Sequence, residues 1–289
     1  MGLSIPYKAY RGELKFKEQP CNESTTSNTS LRKFFDYLVE ATQSGEISIP
    51  MNLADFEADI NNGMYFDSTI PQGFGVGSSG ALVAAIYDRY ATHKIDSDKE
   101  PSKDDLVSLK EQFGQLESFF HGKSSGIDPL ICYLKLPILI KSKKEIGTVG
   151  IPESGEGQGA IFLLNSGQPG ETQPMINIFM EKMKHEGFRN MFKSQFKNYN
   201  DACISSFLKG DVKPLFSNLK QLSGLILENF APMIPRSFHN IWKEGLDSNA
   251  YYLKLCGSGG GGFVLGFTEN LDEARTRLKD HDLEVIYRF

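Results

Sequence analysis

The chain has 289 residues, 40% of them hydrophobic and 23% charged, with a formal net charge of −5. That supplies core for one large or two medium domains and offers no broad basic field of the kind that binds nucleic acid. Four scattered cysteines, Cys21, Cys132, Cys203 and Cys256, form no CxxC pair, which argues against a zinc site or redox dithiol and fits a reducing compartment.

The opening MGLSIPYKAYRGELKF lacks the apolar core of a signal peptide, and no apolar run approaches membrane-spanning length, so a cytoplasmic protein without a membrane partner is expected. Residues 3–18 read as extended, with a turn near Arg11-Gly12. Leu31, Phe34, Phe35 and Leu38 have helical spacing within 30–41. MYFDSTI (64–70) alternates like a strand and stops at Pro71. A glycine-rich loop over 73–80 follows, and then ALVAAIY (81–87), which suits a buried helix starting at Ser78 or Ser79, both good N-cap types. Ser102 and Asp105 form a capping box for a helix whose stripe is Leu106, Leu109, Phe113, Leu116 and Phe120, ending at His121-Gly122.

LICYLKLPILI (130–140) and AIFLLNS (160–166) have strand character, with a Gly-rich turn region at 147–159 between them. Beyond this the chain changes. Residues 174–209 and 213–229 carry helical periodicity. YYLKLCGSGGGGFVLGF (251–267) reads strand, glycine loop, strand; a charged helix (271–280) and a strand (283–288) finish the chain. The change of character puts a boundary near 160–172, giving an N-terminal α+β domain over 1–165 and a C-terminal α+β domain over 166–289.

Glycines at 73, 75 and 77 allow backbone N–H groups to approach a ligand, and the helix behind them directs its positive end to the same place. Ser78 and Ser79 add hydroxyls suited to phosphate or magnesium. Three other readings remain for this stretch and its neighbours. Gly75, Gly77 and Gly80 match the dinucleotide pattern GxGxxG, but the acidic residue expected after a second strand has no clear counterpart. Gly122-Lys123-Ser124 resembles the end of a Walker A loop, yet the required earlier glycine is Glu117. A plain tight turn is the third. The second loop, 257–262, is costly in backbone entropy unless something approaches it closely, or unless it is only a hairpin connection.

Glu117 sits near the apolar stripe of its helix, and Asp128 follows past a Gly/Ser turn. Such a turn can bring two carboxylates into one pocket, as phosphoryl transfer to a hydroxyl needs: one to hold Mg²⁺, one to take or orient the hydroxyl proton. The plainer alternative makes Glu117 a solvated helix residue and Asp128 a helix cap.

Three segments in this order resemble a known family. PQGFGVGSSGAL (71–82) is similar to the second motif of the GHMP kinases, and KLCGSGGGGF (254–263) to the third. Between them Glu117-x-x-x-His121-Gly122-x-x-Ser125-Gly126-x-Asp128 resembles the stretch typical of mevalonate kinases. The resemblance implies the α+β, two-domain GHMP kinase fold, with a first domain like domain 2 of ribosomal protein S5 and a ferredoxin-like second domain. It also implies ATP and Mg²⁺ as cofactors and a small alcohol such as mevalonate as substrate, in isoprenoid precursor synthesis. On that basis Gly73, Gly75, Gly77, Ser78 and Ser79 would wrap the ATP phosphates, and Ser79 and Glu117 would contact Mg²⁺. Asp128 would be the catalytic base, and Gly257, Ser258, Gly259 and Gly260 would support the phosphate loop. His121 would be scaffold or substrate wall. Gly80, Cys256 and Ser258 depart from the family's alanine, threonine and alanine, with slight packing effects expected.

One family motif is unmatched. Nothing in residues 1–20 resembles the first Pro-Gly-Lys strand, and Lys8 belongs to a different strand. The chain as written is therefore expected to begin about twenty residues late, one strand-plus-turn unit. A missing strand would leave a sheet edge open to dimerisation. A non-catalytic homologue that binds nucleotide or an isoprenoid intermediate is the alternative function.

Overall fold

The computed structural model describes residues 1–6, 11–17, 21–142 and 144–289, and of His121 the backbone alone. Lys8, the side chain of His121 and parts of the extended 3–18 stretch thus lie outside the described residues. The chain divides into two compact units: Ser4–Pro71 with Gly77–Val149, and Met1–Leu3 with Gln72–Val76 and Gly150–Phe289.

After β1 (Gly2–Ser4), the first of these units opens with β2 (Gly12–Phe16), which pairs antiparallel with β3 (Met64–Ser68). Helices α1 (Asn22–Gln43) and α2 (Leu53–Asn61) lie between them in sequence; α1 runs longer than the 30–41 stripe suggests, and in its added N-terminal turns Thr25, Thr26, Thr29 and Ser30 donate their hydroxyls to carbonyls four residues back. Helix α3 (Ser78–Tyr90) is buried along most of its length. Helix α4 (Lys103–His121) starts at the Ser102/Asp105 capping box and ends at Gly122, with φ of 71°. Its stripe of Leu106, Leu109, Phe113 and Leu116 joins Phe34, Phe56, Ile86 and Tyr87 in one apolar core. Each such side chain taken fully out of water contributes on the order of 1.5–3 kcal/mol.

The apolar run 130–140 is not one strand. It splits into α5 (Ile127–Leu134) and β4 (Ile138–Ile140), with Lys135 in the left-handed region at φ 55° ending the helix. Period alone cannot separate a short buried helix from a buried strand; here Pro129 falls in the first turn, where its missing N–H costs nothing. Strand β5 (Ile146–Thr148), overlapping the start of the expected 147–159 turn region, pairs with β4.

In the other unit, β6 (Ala160–Asn165), β7 (Tyr252–Leu255), β8 (Phe263–Thr268) and β9 (Leu283–Arg288) form an antiparallel sheet in the order β7-β8-β6-β9. With helices between β6 and β7 and α11 (Leu271–Arg277) between β8 and β9, this is the split β-α-β arrangement called ferredoxin-like. The helical stretch after β6 holds α6 (Thr172–Met183), α7 (Glu186–Met191), a π turn over Phe192–Phe196, α8 (Lys197–Lys209), α9 (Val212–Asn229) and α10 (His239–Ser248). The periodic stretch 174–209 is thus broken into several helices, and α10 has no counterpart among the expected elements. Trp242 of α10 is buried and donates its indole N–H to Ser223 O at 3.1 Å, while Ser223 Oγ accepts from Leu253 N at 3.2 Å. A polar ladder thus ties α9, α10 and β7 inside the second core.

Local surroundings separate the cysteines. Cys21 caps α1, where hydrogen bonds from the Ser24 hydroxyl and backbone, then Lys17 Nζ at 3.1 Å, hold its thiol down at about 7. Burial pushes Cys132 and Cys203 up to about 12 and Cys256 to about 11. Because the thiolate is the nucleophile, iodoacetamide at neutral pH is expected to label Cys21 first. Its rate should rise between about pH 6 and 8, with the other three silent over that window; peptide mass mapping checks this. A second prediction concerns Gly126, whose φ is 72° and where an added Cβ would collide with Lys110 O and lie 2.6 Å from Gly114 N. Gly126→Ala is expected to cost at least about 2 kcal/mol in urea unfolding, from left-handed strain plus overpacking.

Candidate functional site

The turn between α4 and α5 folds back on α4 because Gly114 and Gly126 let the two backbones touch. A Cβ on Gly114 would stand 3.2 Å from Ser124 O. This return places Ser124 beside Glu117. The Glu117 side chain is buried, with 3% exposure, so it is not a solvated helix residue. Its Oε1 accepts a hydrogen bond from Ser79 Oγ at 3.1 Å, and its Oε2 accepts one from Ser124 Oγ.

Ser79 is the second residue of α3. The helix begins at Ser78, as expected, but neither serine is its N-cap. That position is Gly77, in the left-handed region at φ 78°, with no side-chain cap. The left-handed cap turns the chain sharply into the helix and leaves the Ser79 hydroxyl to reach α4. Gly77 has no side chain to cap the first N–H groups of α3, and such groups give a helix N-terminus its attraction for anions.

Asp128 is not a cap either. Gly126 is the N-cap of α5, at φ 72°, and Asp128 stands one residue inside the helix. Its side chain flanks the entrance to α3: a Cβ placed on Gly77 would lie 3.6 Å from Asp128 Cβ and 3.9 Å from Asp128 Oδ2. Gly80 faces the same residue at closer range, where a Cβ would meet the Asp128 carbonyl carbon and Pro129 N, each at 2.7 Å. The glycine at 80 is therefore more than a slight packing departure, because it lets α3 and α5 lie against one another at this point. Beyond burial, the negative charges of Asp128 and then Glu117 also raise the Cys132 thiol, one turn along α5. Both carboxylates, both serines and the start of α3 thus gather in one place within this unit.

The donor set suits a small hard cation. A carboxylate and a hydroxyl oxygen are what Mg²⁺ takes from proteins when phosphates and water complete its shell. Among the described residues no group of three or more His, Cys, Asp or Glu could hold a metal by itself, so any cation here would need a ligand's oxygens as well.

In the other unit, residues 72–76, 166–170 and 257–262 are laced together by backbone. Gly170 N donates to Gly73 O at 2.7 Å, Gly262 N to Gln168 O at 2.8 Å, and Phe263 N to Phe74 O at 3.1 Å. Gly260 N donates to Met233 O at 2.6 Å. A Cβ on Gly262, at φ 75°, would fall 2.5–2.6 Å from the Phe74 backbone. Gly257, Ser258, Gly259 and Gly260 therefore belong to a layer in direct contact with Gly73 and Gly75, and sequence spacing alone had not signalled the third member, 166–170.

No helix among the described residues is long and apolar enough to cross a membrane. No curated protein matches the chain significantly by sequence. Among solved structures, the phosphomevalonate kinase of Streptococcus pneumoniae, in complex with phosphomevalonate and AMPPNP, is similar with a TM-score of 0.59 at 14% identity, over 96% of this chain and 90% of that one. The Lactococcus lactis galactokinase complexed with galactose gives 0.53 at 14% identity, over 78% and 69%. The L. major mevalonate kinase in complex with R-mevalonate gives 0.50 at 17%, over 78% and 70%. Identities this low speak for the fold. The family model described as GHMP kinases N terminal domain matches residues 36–135, and the one described as GHMP kinases C terminal matches residues 203–281. With both halves of that architecture present in order, the chain belongs to the GHMP kinases, a family of small-molecule kinases that use ATP.

Proposed function

We propose that the protein transfers a phosphoryl group from ATP to the hydroxyl of a small alcohol, with mevalonate the first candidate and 5-phosphomevalonate the product. The observation that carries this reading is the buried Glu117 carboxylate hydrogen-bonded to Ser79 at the head of α3, with Asp128 beside the same helix start. The preference for mevalonate rests on the Glu117-to-Asp128 stretch of the sequence.

Roles follow from chemistry. The backbone N–H groups over Gly73, Gly75, Gly77, Ser78 and Ser79 bind phosphate oxygens, helped by the dipole of α3. Ser79 and Glu117 would hold Mg²⁺, which when bound neutralises charge on the phosphates. Asp128 accepts the proton of the attacking hydroxyl and orients its oxygen. Gly257 to Gly260 keep the phosphate loop in shape through the backbone layer that includes Gly73. Little covalent chemistry falls to the protein; positioning and fixed dipoles supply the acceleration.

An ADP-release assay with Mg-ATP and, separately, mevalonate, phosphomevalonate and galactose tests the reading. Turnover is expected with mevalonate. Asp128→Asn should lower kcat by about a hundredfold or more, while calorimetric affinity for ADP stays within about threefold, since Asp128 is assigned no phosphate contact. Nucleotide binding without ADP release for any alcohol would sink the kinase reading in favour of a nucleotide-binding homologue. Turnover only with galactose would keep the reaction and replace the acceptor; turnover only with phosphomevalonate would keep ATP as donor but move the transfer to a phosphate acceptor and remove the proton-accepting role of Asp128.

A further inference from the structure

We infer that Ser124 is a positioning residue for Glu117, fixing which carboxylate oxygen faces the phosphate-binding end of α3. The inference rests on the role proposed for Glu117 and extends it to Ser124, an unspecified position of the 117–128 stretch.

A glutamate side chain has three rotatable bonds, so burial alone does not aim its oxygens. Here each oxygen has its own donor: Oε1 takes the Ser79 hydroxyl and Oε2 the Ser124 hydroxyl. Ser124 Oγ also accepts the Gly126 N–H at 3.1 Å. Gly126 is pressed against α4 at Lys110 and Gly114, only one to two turns before Glu117 on the same helix. The chain of contacts is short and closed: α4 backbone holds Gly126, Gly126 N–H holds Ser124 Oγ, and Ser124 Oγ holds Oε2. Because a backbone N–H points into the Ser124 oxygen, its own proton is directed outward to Glu117. Oε1 is thereby turned to Ser79, the other residue that would hold the cation. Groups that orient a metal-binding carboxylate typically contribute about 10–100-fold in metal affinity or activity.

The test is calorimetric binding of AMPPNP with saturating Mg²⁺ and again in EDTA, on the full chain and on Ser124→Ala, Ser124→Thr and Glu117→Gln. Ser124→Ala is expected to weaken binding about tenfold with Mg²⁺ and negligibly in EDTA, and Ser124→Thr, which keeps the hydroxyl, to recover most of the loss. Glu117→Gln should weaken only the Mg²⁺-dependent binding. If Glu117→Gln does so and Ser124→Ala binds like the parent chain, the role of Ser124 is overturned while the Glu117 assignment stands. If Glu117→Gln has no effect, the Glu117 assignment itself fails and takes this inference with it. Equal losses with Mg²⁺ and in EDTA, or no recovery by threonine, would make Ser124 merely structural and also overturn the proposal. Should Ser124→Ala fail to fold, Ser124→Cys, similar in size and a far weaker donor, is read by the same criteria.

Discussion

A carboxylate buried at the head of a helix constrains the whole first unit. Removing an ionised glutamate from water costs several kcal/mol unless fixed donors replace the lost hydration. Glu117 receives such donors from two directions, Ser79 on α3 and Ser124 on the returning turn. Each donor requires its own piece of architecture. Ser79 needs a left-handed glycine ahead of the helix, so that the serine lies inside the first turn rather than at the cap. Ser124 needs a turn that doubles back onto α4, which Gly126 permits and the small residue at Gly114 eases. The capping box at Ser102 and the apolar stripe behind it hold α4 rigid enough for these contacts to matter.

The second unit solves a different problem by backbone alone. Loops over 72–76, 166–170 and 257–262 exchange main-chain hydrogen bonds with no side chain interposed. Such a layer is dense because glycines at 73, 75, 170 and 259–262 let the main chains approach closely. A conformational cost of glycine that looks wasteful in a strand-to-strand connection is offset here by the ladder those glycines can form.

Much of this was legible. Helix α4, its cap and its terminal glycine follow directly from Ser102, Asp105, the stripe and Gly122, because local chemistry and tertiary packing agree there. The final strand is likewise recovered at 283–288. The reading failed where local signals are short or degenerate. Residues 127–134 are buried on nearly all sides, so no period distinguishes helix from strand; the cue available was Gly126 followed by Asp128 and Pro129, a helix-entry pattern outweighed by the run of Leu, Ile and Tyr. Helix α10 is set by Trp242 finding Ser223 across the fold, a contact no window of sequence contains. At the site, residue types and order were visible, but the burial of Glu117 was not, because three-dimensional return of the 122–126 turn decides it. In the sequence Ser124 stands out only within a phosphate-loop lookalike, Gly122-Lys123-Ser124.

Gly80 carries a consequence for how this protein can change. Every substitution at that position adds at least a β carbon, which would fall 2.7 Å from the Asp128 carbonyl carbon and Pro129 N. Neither is the flexible end of a side chain; both are main-chain atoms at the start of α5. A variant bearing alanine at 80 must therefore slide α5, and Asp128 with it, away from the head of α3. The residue at 80 and the spacing of the α3–α5 seam are thus coupled, and a change in one requires a change in the other.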